Sequence, residues 1–247
     1  MSGQLTHQTW PEIETDQLLL VPLGSCEQHG PHLPLDTDTV IAEALAARIA
    51  QRLGNIGIHS AVAPALAFGS SGEHQSFPGT LSIGTEALVC VLVQMVRSAS
   101  TWCARTLFVN GHGGNLDALR TAIAQMRNEG HNAAWIDCAI PGGDAHAGHT
   151  ETSLMLVLDP HHVRSHDQVQ GNTEPIQNLL PHMRSAGIAA VSENGVLGDA
   201  RKASAGHGRH LLEVAAEDMT QAVVAWHVEG SGRLTSEGHT PRDIPRS

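Results

Sequence analysis

The sequence contains no tyrosine, three phenylalanines and a single lysine, Lys202. That lysine belongs to a set of 14 Lys+Arg facing 25 Asp+Glu, a formal charge of -11. So acidic a chain has no electrostatic footprint for phosphate backbones or anionic lipid, which excludes nucleic acid and membrane surfaces as partners. No apolar run approaches the ~18 residues of a membrane helix. The first ten residues also lack the basic and apolar regions of a signal peptide. The four cysteines, Cys26, Cys90, Cys103 and Cys138, include no C-x-x-C pair. A reducing compartment without structural disulfides is expected, namely the cytoplasm. With 41% apolar residues the chain is nonetheless no disordered acidic tail.

What the sequence has in excess is histidine, 17 residues in all. Imidazole is the commonest metal ligand and a frequent acid or base. For any one of these residues, however, a solvated surface position is the better expectation.

Apolar periodicity gives the fold class. Short apolar runs at Leu18–Leu23, Ser60–Ala67, Thr106–Val109 and Ala133–Cys138 predict strands, the second weakened by Pro64. Helical spacing covers Thr39–Arg52, Thr85–Ser98, Leu116–Asn128, Glu151–Leu158, Glu174–Ser185 and Gly208–Val228. The alternation implies an α/β fold with a mostly parallel sheet covered on both faces. One domain is expected over residues 1–228. Residues 229–247, rich in Gly, Ser, Thr and Pro, are expected to form a flexible tail. Such sheets bind ligands beyond the carboxyl ends of their strands.

Three chemistry-bearing clusters fall just after predicted strands. The first, residues 24–38, reads G-S-C-E-Q-H-G-P-H-L-P-L-D-T-D and contains Glu27, His29 and Asp38. In extended chain, Glu27 and His29 share a face. The second, N-G-H-G-G-N at 110–115, places His112 at a strand end and lacks the Lys and Ser/Thr of a phosphate loop. The third, D-A-H-A-G-H-T-E-T-S at 144–153, holds His146 and Glu151; Thr150 is the expected helix cap there. If the first, third and fourth strands are neighbours, their ends bring together Glu27, His29, Asp38, His112 and Glu151, with His146 beside them. This mixed N/O set suits Zn, Mn or Fe(II). Three carboxylates and two imidazoles fit two divalent ions better than one, with Asp38 as the bridge. A thiolate from the adjoining Cys26 would favour Zn.

These segments, together with F-P-G-T at 77–80 and V-N-G-H-G-G-N at 109–115, resemble the creatininase family over nearly the whole chain. The resemblance implies a three-layer α/β/α sandwich and a homo-oligomer, a hexamer or larger. It implies metal ligation by Glu27, His29, Asp38, His112 and Glu151, two divalent ions per subunit, and catalysis by His146. Creatininase itself has a Glu where this chain has Gly114, and closes over its substrate with tryptophans. This chain has no Trp between Trp135 and Trp226, so a wider pocket is expected. Within the family it is most similar to the mycofactocin-system peptidases, through residues 69–88, 141–153 and 194–199. That similarity implies release of a modified C-terminal Val-Tyr dipeptide from a short ribosomal precursor peptide. The chain departs from the peptidase pattern at Glu193 and at Arg201-Lys202. The loop 69–80 is expected to line the peptide channel, with Ser76, Phe77, Gly79 and Thr80 as substrate contacts. Glu73 and His74 are read as substrate contacts or as solvated residues, the second being preferred for each taken singly, and Lys202 with Arg201 as either a carboxylate contact or a solvent-facing turn. The alternative function is a small-molecule amidohydrolase, a lactam hydrolase or a deformylase. Loose metal buffering by surface histidines is disfavoured, because only His161-His162 forms a tract.

Overall fold

A computed structural model of the chain describes residues 3–138 and 140–235. Its strands are Gly3–Gln4 (β1), Leu18–Leu23 (β2), Ser60–Val62 (β3), Arg105–Asn110 (β4), Ala133–Asp137 (β5), His227–Val228 (β6) and Leu234–Thr235 (β7). Its α-helices are Thr37–Asn55 (α1), Thr85–Ala99 (α2), Leu116–Asn128 (α3), His149–Leu158 (α4), Ile176–Ala186 (α5) and Ala205–Ala225 (α6).

The run LLLVPL of β2 is buried throughout because both of its faces are covered. Leu18 and Leu20 point into one core with Ile41, Leu45 and Ile49 of α1, Leu154 of α4 and Leu211 and Leu212 of α6. Leu19, Val21 and Leu23 point into the other, with Leu88 and Leu92 of α2 and Leu119 and Ile123 of α3. The fold is therefore a three-layer α/β/α sandwich. Its main sheet runs β1-β3-β2-β4-β5, with every pair parallel.

The strand order positions the site. From β2 the chain crosses by α1 to β3 on one side, then by α2 to β4 on the other. The carboxyl end of β2 thus lies at the point where the order reverses, the place where such sheets open a crevice. The expected neighbourhood of the first, third and fourth predicted strands corresponds to the adjacent β2, β4 and β5.

Several boundaries differ from expectation. β3 stops at Val62, two residues before Pro64, which cannot donate to a ladder. α6 begins earlier, where Ser204 Oγ accepts from His207 N–H at 3.2 Å, and ends at Trp226 in the left-handed region. The stretch after it turns back as the antiparallel β6–β7 pair. Trp135 N–H donates to Gly232 O and its Nε1–H to Ser231 O, both at 3.0 Å, and Leu234 is buried. Residues 229–235, read in sequence as the start of a tail, are therefore docked on β5. The rest of that expected tail, 236–247, lies outside the described residues. Among the described residues no helix is long and apolar enough to cross a membrane. All four cysteines are free.

Candidate metal centre

β2 ends at Leu23, and the chain then runs extended through Glu27 and His29 into α1. Asp38 stands in the first turn of that helix. Close approach of backbones brings it to the strand ends: a Cβ on Gly111 would lie 2.3 Å from Asp38 O, so only glycine fits there. The two asparagines of N-G-H-G-G-N brace the same region. Asn115 Nδ2–H donates to Gly24 O at 3.0 Å and its Oδ1 accepts from Ser70 N–H at 2.9 Å, while Asn110 Nδ2–H donates to His112 O at 2.8 Å. These side chains tie the ends of β2 and β4 to the loop 69–80 and fix the height of His112.

Asp38 presents an oxygen to each of two groups. Its Oδ1 is 3.1 Å from His29 Nε2, and its Oδ2 is 3.2 Å from His112 Nδ1 and accepts from Ser25 Oγ at 2.7 Å. Glu27, Asp38 and His112 offer ligand atoms within 4.8 Å of one another, as do His29, His146 and Glu151, and also Glu27, His74 and His146. His29 Nδ1–H donates to Glu27 O at 3.1 Å, which leaves Nε2 facing Asp38 and Glu151. Both Glu27 oxygens are fully buried and make no directed hydrogen bond, although imidazole nitrogens of His74 and His112 lie 3.1 Å away. A buried carboxylate without a hydrogen-bond partner, inside a ring of imidazoles and carboxylates, is a donor set that fits divalent cations.

The electrostatics agree. Burial opposes charge on His29, yet Asp38 beside it, with Glu151 and Glu27 behind, raises its pKa to about 10. His112 is likewise raised well above 6.5 against the effect of burial, by Glu27 and Asp38. Burial pushes Glu151 up to about 7, with His29 opposing. In the absence of an ion these sites therefore hold protons in the positions a cation would take. Ion uptake at pH 7 is expected to release about two protons per chain, with affinity rising steeply with pH. Titration calorimetry in buffers of different ionisation enthalpy measures this, and heats independent of buffer would refute it. The ion-free protein should also lose stability as pH climbs from about 7 through the His29 value near 10. A raised histidine pKa stabilises fully only below the ordinary value of about 6.5.

The structure brings Glu27, His29, Asp38, His112, Glu151 and His146 to one place, and it adds a residue that sequence reading had put in solvent. His74 is 2% exposed, with its ring centroid 4.6 Å from that of His146. Its pKa is lowered to about 4, chiefly by burial. Nothing in the sequence signals this, because the loop around it has no periodicity. Glu73 is also largely covered. Its Oε1 is 3.9 Å from His112 Nε2, and a Cβ on Gly114 would meet that nitrogen at 2.4 Å and Glu73 Oε1 at 2.6 Å. The missing side chain at 114 thus leaves room for a carboxylate arriving from the loop.

The cap of α4 differs too. Asp144, not Thr150, receives the first N–H groups of the helix: its carboxylate accepts from His149 N–H and, at 2.9 Å, from Thr150 N–H. Between His146 and α4, Ala147 is left-handed at φ +52, and its N–H donates to Glu151 Oε2 at 2.6 Å. His32 supports α4 from behind through Thr152 Oγ1 at 2.8 Å. His149 turns away from the cluster to His207, Nε2 to Nδ1 2.7 Å.

The expected substrate contacts have mixed surroundings. Ser76 and Gly79 are exposed. Thr80 Oγ1 accepts from Gln28 N–H at 3.3 Å, and Phe77 is packed against the small apolar cluster of Leu179, Ile188 and Leu197. A groove of about 840 Å³ runs along the outer side of the His146 loop, lined among others by Asp144, His149, Glu174, Gln177, Lys202 and His207. Of the basic pair, Arg201 is engaged by Asp199 at 2.8 Å and by Gln170, whereas Lys202 lines the groove.

Comparison with known proteins places this arrangement. Residues 6–223 match the family model described as creatininase, creatinine amidohydrolase. A mycofactocin precursor peptide peptidase of Mycolicibacterium smegmatis is 50% identical, covering 88% of this chain and 89% of its own. One from Mycobacterium tuberculosis is 49% identical, covering 94% and 95%. Among solved structures, a manganese creatininase superposes with a TM-score of 0.75 at 26% identity, covering 92% of this chain and 99% of its own. Fold, family match and half-identical relatives agree, and the chain belongs to the creatininase family of hydrolases.

Proposed function

We propose that this chain is a dinuclear metal-dependent peptidase that cleaves an amide bond near the C-terminus of a short ribosomal precursor peptide, releasing a modified Val-Tyr dipeptide unit. The observation that carries the reaction class is Asp38, which turns one oxygen to His29 and the other to His112, between the Glu27 and Glu151 sides of the cluster. In this reading Glu27, Asp38 and His112 would hold one ion, and His29 and Glu151, with Asp38, the other. Bound divalent ions would supply Lewis acidity: an acidified water and positive charge opposite a carbonyl oxygen. The chain's own residues do the rest. His146 Nε2–H donates to Gln28 O at 2.8 Å, which leaves Nδ1 bare and turned toward the cluster, 3.9 Å from Glu27 Oε1. From there it takes a proton from the attacking water and returns it to the leaving amine. The absence of tryptophans between Trp135 and Trp226 supports a peptide rather than a compact ring as substrate. The identity of the half-identical relatives supports the precursor peptide.

The test is mass spectrometry of the zinc-, manganese- or iron(II)-loaded protein incubated with precursor peptide, and separately with small cyclic amides and formamides. Loss of a C-terminal dipeptide from the peptide alone is expected. Turnover of the small amides with the peptide untouched would move the chain to the small-molecule amidohydrolases.

A further inference from the structure

Gln28 lies at the junction of two imidazoles, and its own orientation is fixed by main chain. Its Oε1 accepts from Gly30 N–H at 2.9 Å, and its Nε2–H donates to Gly195 O at 3.2 Å. Two backbone partners of opposite kind leave the amide no alternative orientation. Gln28 Nε2 also lies 2.9 Å from His74 Nδ1 and 3.0 Å from His146 Nε2; because His146 Nε2 gives its own proton to the main-chain Gln28 O at 2.8 Å, the second amide hydrogen goes to His74 Nδ1. That nitrogen must therefore be the acceptor. A neutral imidazole that accepts at Nδ1 carries its proton at Nε2. His146 is set the opposite way: its Nε2 gives its proton to the main-chain Gln28 O, and its bare nitrogen is Nδ1.

His74 Nε2 points into the cluster beside Glu27 Oε1 at 3.1 Å, yet Glu27 receives no directed hydrogen bond from it. The Nε2 proton therefore faces the Glu27 carboxylate without the alignment of a hydrogen bond. It cannot serve as a metal ligand in this tautomer, because ligation needs the lone pair. A fixed, buried donor aimed into the cluster is an arrangement suited to stabilising negative charge as it develops.

We propose that His74 is a further catalytic residue, a neutral imidazole whose Nε2–H, locked by Gln28, donates to the carbonyl oxygen of the scissile amide. The proton remains on Nε2 throughout; proton transfer belongs to His146. Gln28 is the positioning residue for both. This assignment rests on the amide hydrolysis proposed above only in its last step, the nature of the oxygen.

The experiment combines nitrogen-15 spectra of histidine-labelled, zinc-loaded protein with metal content and kinetics of variants. In the wild type, His74 is expected to show the Nε2–H tautomer with no metal-bound shift. Gln28→Glu, which offers only acceptors in place of the amide N–H, should move the His74 proton to Nδ1 and leave His146, held by main chain, unchanged. His74→Ala should keep its full complement of zinc, with kcat lower by roughly 100- to 1000-fold, the usual cost of one such donor. Loss of zinc from His74→Ala, an Nδ1–H or metal-bound His74 in the wild type, or an unchanged kcat would each overturn the proposal. The wild-type spectrum decides even if a variant fails to fold. Because the spectra and metal content are read without substrate, a failure to cleave peptide would count against the substrate and not against the tautomer.

Discussion

Asp38→Ala is expected to lose both ions and all measurable turnover while keeping the fold. The carboxylate faces both halves of the cluster, 3.1 Å from His29 and 3.2 Å from His112. Removal of a residue that merely supports a metal ligand weakens affinity by roughly 10- to 100-fold, so loss of a shared ligand should exceed about 100-fold for each ion. The fold should survive because Asp38 belongs to neither apolar core: α1 is held by Ile41, Leu45, Ile49 and Leu53. Removal of the anion also relieves a conflict. His29 and His112 carry protons in the ion-free protein only because Asp38 and the other carboxylates outweigh their burial, and without Asp38 they are free to become neutral. His29→Ala and His112→Ala, each confined to one half, should likewise lose turnover, but each should retain one ion more readily than the other. Metal analysis after dialysis, with circular dichroism as the fold control, measures this. Full activity of Asp38→Ala after chelation would end the two-ion account.

The legibility of this site in the sequence was uneven for physical reasons. The strands were readable because a buried strand must be a short apolar run, and β2, β4 and β5 are. The cluster was readable because ligand-bearing segments follow those strands directly, and a parallel sheet gathers their ends. His74 was not readable. Its burial depends on the loop 69–80 folding back over β2 and β4, held by Asn115 at Ser70 and by Ser82 Oγ at Ser71 N–H, 2.9 Å. Contacts of that kind leave no period in the sequence. The helix cap was misplaced for a similar reason: Thr150 has the right chemistry at a plausible position, but Asp144 reaches the same N–H groups from five and six residues upstream. The docking of 229–235 was hidden because a stretch rich in Gly and Ser resembles a tail until Trp135 supplies its partners.

His146→Ala is expected to give the opposite phenotype to Asp38→Ala: ions retained, turnover lower by roughly 100- to 10,000-fold, the range for loss of a general acid and base. The geometry also offers a ligand role, since His146 stands within reach of both Glu27 and the His29–Glu151 pair. Metal content separates the two roles, because a ligand's removal empties a site and a proton carrier's does not. The pH profile adds a second criterion. Burial lowers the His146 pKa well below 6.5, and the neighbouring His29 and His74 lower it further. A base with a depressed pKa stays unprotonated as pH falls, so the acid limb assigned to His146 should lie below pH 6.5, and bound cations shift it the same way. In His146→Ala that limb should vanish from kcat, whereas KM should change far less. A variant that keeps its acid limb while losing rate would show that another group carries the proton, and His146 would then be left with shaping the cavity.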